Sequence, residues 1–300
     1  MSIKADWIAV DWGSFSLRAW AMDAEGQDLA TTSLDQGAEK LSQTVFEATL
    51  CGSISPWLAD GQTDVIACGM VGSQHGWIDT PYAFVPCKPL SKLVKAPSTD
   101  PRLNVQIIGG ISQAHPADVM HGEETQIAGF QKLNPNWDGV ICLPGNHTKW
   151  VQVSAGEIVS FQTFMTGEMF ALLSTSSILR RSVASKDWDQ SAFDKAVDEA
   201  ISRPESIAAR LFGLRAEYLL NNQPTATARS RLSGLLIGAE LAAAKPYWLG
   251  QSLAIIGPKT ISDGYATALA AQHAPVTRTD TKQMTLTGLK VAYSHYKERQ

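Results

Sequence analysis

The chain contains no run of about 18 consecutive apolar residues, which excludes a helical membrane span. Its 25 Lys and Arg residues are scattered among 29 Asp and Glu, and without a basic run there is no broad footprint for a nucleic-acid backbone. An anionic ligand would have to be met by positive charge gathered locally. Cysteines number four, Cys51, Cys68, Cys87 and Cys142, with no C-x-x-C spacing and no signal-peptide pattern ahead of them, which favours reduced, mostly buried thiols and a cytoplasmic protein. Charged residues are sparse at 18% against 44% apolar, which excludes a disordered chain or a coiled coil. At 300 residues the chain exceeds the usual single-domain size, so two domains, and with them a cleft, are expected.

What is present is a pattern that occurs twice. Residues 8–11, 17–23 and 28–34 read as three strands joined by short turns. The first turn lies in "DWGSFSLR", residues 11–18, and carries a glycine, two hydroxyls and an arginine where an ordinary hairpin has Asn-Gly or Asp-Gly. Leu41, Val45, Phe46, Leu50 and Ile54 then predict a helix over residues 39–58, followed by a strand over 64–68. Half a chain later, an apolar run at 140–143 breaks at Pro144-Gly145-Asn146-His147-Thr148-Lys149. It resumes at 150–153, turns at Ala155-Gly156, continues over 158–166 and passes into a helix over 167–179. Set side by side with one gap, "GSFSLRAW" and "GNHTKWV" align a glycine, a hydroxyl and a cation. Internal repetition of this kind reports architecture.

The ordered segments "DWGSFSLRAW", "GMVGSQHGW", "HGEETQ", "LPGNHTKWV", "TFMTGEMFALL" and "LSGLLIGAEL" span residues 11 to 241 and resemble the 2-dehydro-3-deoxygalactonokinase family, within the actin, hexokinase and heat-shock ATPase superfamily. The resemblance implies an α/β fold of two ribonuclease-H-like domains with an ATP cleft between them. Residues 1–128 would carry sugar-acid binding and the first phosphate loop, and residues 129–300 the second phosphate loop and the adenosine site. It implies ATP-dependent phosphorylation of 2-dehydro-3-deoxy-D-galactonate at the 6-hydroxyl, in galactonate catabolism, with Mg²⁺ accompanying the ATP.

Phosphoryl transfer asks a protein for positioning and for donors aimed at phosphate oxygens. Gly13 and Gly145 allow close backbone approach, Ser14, Ser16, Asn146, His147 and Thr148 add polar side chains, and Arg18 and Lys149 add positive charge. Two ordinary hairpins with solvated tips would look the same. Asp11 could hold a water on Mg²⁺, or merely cap its turn. Where many superfamily members carry an aspartate in the second loop, this chain has Leu143-Pro144, so metal support would fall to Asp11.

Glu123 and Glu124 fall in the first turn of a helix, a position that the helix dipole explains without any function. Their spacing also resembles the exopolyphosphatase branch of the superfamily, in which a glutamate orients the attacking water. By that resemblance Glu123 is the first choice for the base and Glu124 the second. Ser73, Gln74, His75 and Trp77, in a loop leaving a strand, are substrate-binding candidates, with His121 beside them and a core role open for Trp77. Thr166-Gly167-Glu168 reads as a helix cap. The superfamily carries adenosine over glycines such as Gly238 and Gly257, which helix packing or a plain turn would explain equally. The same elements admit an exopolyphosphatase-like phosphohydrolase or an actin-like ATP-switched binding protein. The expected partners are the sugar acid and ATP, with no nucleic acid and no membrane, and a homodimer is compatible with the sequence.

Overall fold

The computed structural model describes residues 3–90 and 92–300. The chain forms two compact units. One comprises Met1–Trp137, Ser154–Ser160 and Thr281–Gln300, and the other Asp138–Val153 and Phe161–Asp280. The sequence predicts a single crossing at residue 128; the chain instead returns at its end to complete the first unit.

In the first unit the elements follow as β1 (Trp7–Trp12), β2 (Leu17–Met22), β3 (Asp28–Leu34), α1 (Phe46–Ile54), β4 (Thr63–Gly69), β5 (Ala83–Phe84), β6 (Leu93–Lys95), β7 (Leu103–Ile108), β8 (Ile111–Gln113), β9 (Asp118–Met120) and α2 (Glu123–Leu133). The main sheet has the order β3-β2-β1-β4-β7-β6, with β1 antiparallel to β2 and parallel to β4. Strand alternation sends Ile8, Val10 and Trp12 to one face and Trp7 and Ala9 to the other, and all five are buried.

The second unit contains β10 (Gly139–Leu143), β11 (Thr148–Ser154), β12 (Glu157–Phe164), α3 (Thr166–Thr175), α4 (Gln190–Ser202), α5 (Ile207–Leu220), α6 (Thr225–Ala243), α7 (Lys245–Trp248), β13 (Leu253–Ile256), α8 (Lys259–Ala271) and β14 (Val276–Thr279). Its sheet runs β12-β11-β10-β13-β14, the strand order of the first sheet without the extra edge strand. β10 is antiparallel to β11 and parallel to β13, as β1 is to β2 and β4. The duplication read from the sequence is therefore a duplication of topology, two ribonuclease-H-like units in one α/β chain.

The last helix, α9 (Thr281–Lys297), covers the face of the first sheet that presents Trp7, Ala9, Trp20, Met22 and Ile66, adding Leu289 and Ala292 to that core. Tyr293 stacks on Trp7 with ring centroids 4.2 Å apart. No helix among the described residues is long and apolar enough to cross a membrane. All four cysteines are free; Cys68 and Cys142 are buried and the other two half-buried.

The helix predicted over residues 39–58 is broken. Short 3-10 turns at Ala38–Lys40, Gln43–Val45 and Ser55–Trp57 flank α1. At its start the N–H groups of Ala38 and Glu39 are taken by the carbonyls of Gly13 and Ser14, so they bind the first hairpin. Leu41 and Ser42, between the first two turns, are extended at ψ 144° and 155°, and that extended link is where the helix is interrupted.

Candidate active site

In the first unit β1 and β2 pair so that Asp11 faces Arg18 across the hairpin. Gly13 N–H closes the turn on the Ser16 carbonyl at 3.0 Å, leaving Phe15 and Ser16 exposed and Ser14 half-buried. The tip is held from beneath: Trp12 Nε1 donates to Gln36 O at 3.0 Å, and a Cβ on Gly37 would overlap the Ser14 carbonyl. Two glycines bring other segments to this end of the sheet. Gly69, at φ +97°, lies where a Cβ would stand 2.6 Å from Trp12 O, and Gly122, at φ +106°, packs against Gly69. Any other residue would be strained at both positions and would force the backbones apart.

This stacking puts the start of α2 within electrostatic reach of Asp11. Burial raises the Asp11 carboxyl to about 6; Arg18 lowers it and the charge of Glu123 raises it. Glu124 is fully buried, and its carboxyl is pushed up to about 8 by burial and then by Glu123. Its Oε2 accepts the Gly122 N–H at 2.6 Å and its Oε1 the Thr125 hydroxyl at 3.1 Å. Glu124 therefore caps its own helix and is largely protonated at neutral pH, so it has no lone charge with which to take a proton. Glu123 is half-buried. The sequence leaves the two glutamates as rivals for one role; their burial separates them.

His121 packs edge-on against Tyr82 at 4.8 Å. In the loop after β4, Gln74 and His75 are exposed, whereas the Ser73 hydroxyl donates to the Met70 carbonyl at 2.8 Å. Trp77 sits in the core, edge-on to Trp12 and stacked on Phe46 at 6.4 Å in each case. Its indole supports the loop from within and offers no open wall to a ligand, which corrects the substrate-binding expectation for this residue.

In the second unit, Leu143 pairs with Lys149 as Asp11 pairs with Arg18, so Arg18 and Lys149 occupy matching registers. Asn146 and His147 are exposed, Gly145 half-buried, and Thr148 and Lys149 buried. The Thr148 hydroxyl is committed to Tyr265 O–H at 2.9 Å, so it is not a free donor at the tip. The start of α3, read from sequence as a simple cap, clasps this loop. A Cβ on Gly167 would overlap the Gly145 carbonyl, Glu168 N–H donates to Asn146 O at 2.9 Å, and the Glu168 carboxylate meets His147 Nε2 at 2.6 Å.

Beside the loop lies a cavity of about 800 Å³, lined by Gly145, Asn146 and Thr166, and by Phe170, Arg229, Ser233, Ile261 and Gly264 from three helices. The Arg229 guanidinium lies 4.9 Å from the Phe170 ring. Gly238 and Gly257, expected to carry adenosine, are outside its wall. A Cβ on Gly238 would stand 2.6 Å from Val197 O, and on Gly257 2.6 Å from Ser262 Oγ, so both glycines serve close packing. The cavity residues were missed because α6 and α8 are distant in sequence and their polar positions look like ordinary helix surface. Among the described residues no group of three or more His, Cys, Asp or Glu could hold a metal ion.

A model of the 2-keto-3-deoxy-galactonokinase family matches residues 11–292. A protein of Rhizobium meliloti (strain 1021) named as a probable 2-dehydro-3-deoxygalactonokinase is 33% identical over 97% of this chain and 98% of its own. The 2-dehydro-3-deoxygalactonokinase of Escherichia coli (strain K12) is 33% identical over 92% of this chain and 93% of its own. A solved structure from Sinorhizobium meliloti, with the same provisional assignment, superposes with a TM-score of 0.87 at 32% identity, covering 96% of each chain.

Proposed function

The chain belongs to the 2-keto-3-deoxy-galactonokinase family, a family of carbohydrate kinases, and from that premise we propose that it transfers the γ-phosphoryl group of ATP to the 6-hydroxyl of 2-dehydro-3-deoxy-D-galactonate. The observation that carries the reading is the pair of hairpins with matching registers, each with a glycine at its tip and a cation on its return strand. In this reading the backbone N–H groups of residues 145–147 meet phosphate oxygens, Lys149 offsets their charge and the cavity beside Phe170 and Arg229 takes the nucleoside, while the N–H groups of residues 14–16 and the Arg18 guanidinium are the first unit's corresponding phosphate donors. The exposed Gln74 and His75 are left to meet the sugar acid.

Mg²⁺ bound to the nucleotide would neutralise charge on the transferring group, and the residues present suit an ion carried by phosphates, with Asp11 as its outer-sphere carboxylate. Glu123 accepts the proton of the 6-hydroxyl as that oxygen bonds to the γ-phosphorus and the bond to the β-phosphate oxygen breaks, releasing ADP. Glu124, capped and largely protonated, holds the first turn of α2 in place for it.

The test is a coupled ADP-release assay over a panel of keto-deoxy sugar acids, with the site of phosphorylation read by NMR. Turnover with the galactonate-derived acid and a 6-phosphorylated product is expected. Steady phosphate release with no acceptor present would instead assign a phosphohydrolase.

A further inference from the structure

A buried carboxylate in the second unit has no part in the proton transfer just described. Glu240 of α6 is 3% exposed, yet donors from three other elements converge on it. Trp150 Nε1 of β11 donates to Oε1 at 2.8 Å, Tyr265 O–H of α8 donates to Oε2 at 2.7 Å, and the Thr166 hydroxyl at the start of α3 bonds to the same group. With the Tyr265 proton given to Glu240, Thr148 Oγ1 is the donor in its own contact with Tyr265.

Burial pushes the Glu240 carboxyl up to about 7 against the opposing pull of these bonds. An apolar side chain would fill such a site at lower cost. What the carboxyl holds gives it a purpose. Thr148 ends the loop that carries Gly145 and Asn146, and Thr166 and Tyr265 line the adjoining cavity. The same loop is fastened at its outer side by Gly167 and Glu168. Glu240 is thus the common anchor beneath both parts of the proposed nucleotide site.

We propose that Glu240 is a positioning residue for phosphoryl transfer: through Tyr265 and Thr166 it sets where residues 145–148 present their N–H groups to the nucleotide phosphates. The proposal rests on reading the second unit as the nucleotide-binding one. Misplacing a reacting group by about 1 Å can cost about 100-fold in rate, so a fixed anchor beneath the loop has kinetic value.

The test compares wild type, E240Q and Y265F by steady-state kinetics, by calorimetric affinity for the non-hydrolysable analogue ADPNP, and by thermal melting. E240Q keeps the volume but replaces one acceptor oxygen with a donor, which then faces Trp150 or Tyr265. The expected result is kcat lower by about 10- to 100-fold, weaker ADPNP binding, and a KM for the sugar acid within about twofold of wild type. Y265F cuts only the relay to Thr148 and should lose about 3- to 10-fold in kcat. Melting temperatures that fall while kcat per folded molecule and ADPNP affinity stay at wild-type values would overturn the proposal. If E240Q fails to fold, Y265F decides alone, and wild-type kcat in that variant overturns it. A wild type that binds ADPNP but phosphorylates no acid in the panel would remove the substrate reading instead. The variants' ADPNP affinities then decide, and unchanged affinity overturns the positioning role.

Discussion

Gly288 of α9 lies so close to Thr125 of α2 that a Cβ on the glycine would overlap the Thr125 carbonyl oxygen, and Gly129 of α2 stands in the same relation to the Met284 carbonyl. The two glycines form a reciprocal notch that fixes the separation of the helices. Because α2 opens with Glu123 and Glu124, the place of the proposed base is set from the far end of the chain.

Gly288→Val has no void to enter. Overpacking of this kind costs about 1–3 kcal/mol, so the melting temperature should fall, and kcat should fall with it as α2 is displaced. An unchanged melting curve would show that the helices can part without loss.

Glu123→Gln removes the proposed proton acceptor while keeping its shape. A loss of about 10²- to 10⁴-fold in kcat is expected, with ADPNP affinity nearly unchanged. Glu124→Gln imitates the protonated form that the buried carboxyl already favours, so its kcat should stay within a few-fold of wild type. The opposite ranking would exchange the roles of the two residues.

Three carboxyls hold their protons more tightly in the folded state: Asp11 rises from 3.8 to about 6, Glu124 from 4.5 to about 8 and Glu240 from 4.5 to about 7, in each case chiefly through burial. Above the unfolded values the native state binds more protons than the unfolded chain, so stability falls as pH rises. Their contribution should decline from about pH 4 and level off above about pH 8. Melting temperatures across that range read the slope directly, and E124Q should flatten it; a rise toward pH 8 would contradict the assignment.

Arg229→Ala removes the cation stacked on Phe170 at the cavity wall. If the same guanidinium also lies against the base, a contact of about 1 kcal/mol, nucleotide affinity should drop roughly fivefold, and the KM for the sugar acid should hold. Calorimetry with ADPNP measures the first, and wild-type affinity would take the nucleoside out of this cavity.

The hairpins were legible because alternation and glycine placement are local properties, and the alignment of Arg18 with Lys149 survives as a shared register. The roles of Glu123 and Glu124 could not be separated in sequence, since both fit the first turn and only burial distinguishes them. Trp77 shows the same limit from the other side: a tryptophan in a glycine-rich loop suits a ligand wall or a core, and three-dimensional packing on Trp12 and Phe46 decides. Thr166-Gly167-Glu168 looked like a plain cap because its partners, Gly145, Asn146, His147 and Glu240, lie on other elements. The break in the helix predicted over 39–58 escaped for a similar reason, as the carbonyls that hold Ala38 and Glu39 belong to the first hairpin.

Because α9 supplies Leu289 and Ala292 to the sheet built on Trp7, a chain emerging from the ribosome cannot finish its first unit until α9 has followed the whole of the second unit out. The middle portion, Asp138–Val153 with Phe161–Asp280, is free to fold earlier. Order of synthesis and order of completion are thereby reversed, and the indoles of Trp7 and Trp20 stay wet in the interval. Chains truncated ahead of Thr281 should accordingly be recovered as aggregates, and a soluble, cooperatively melting truncation would refute this order.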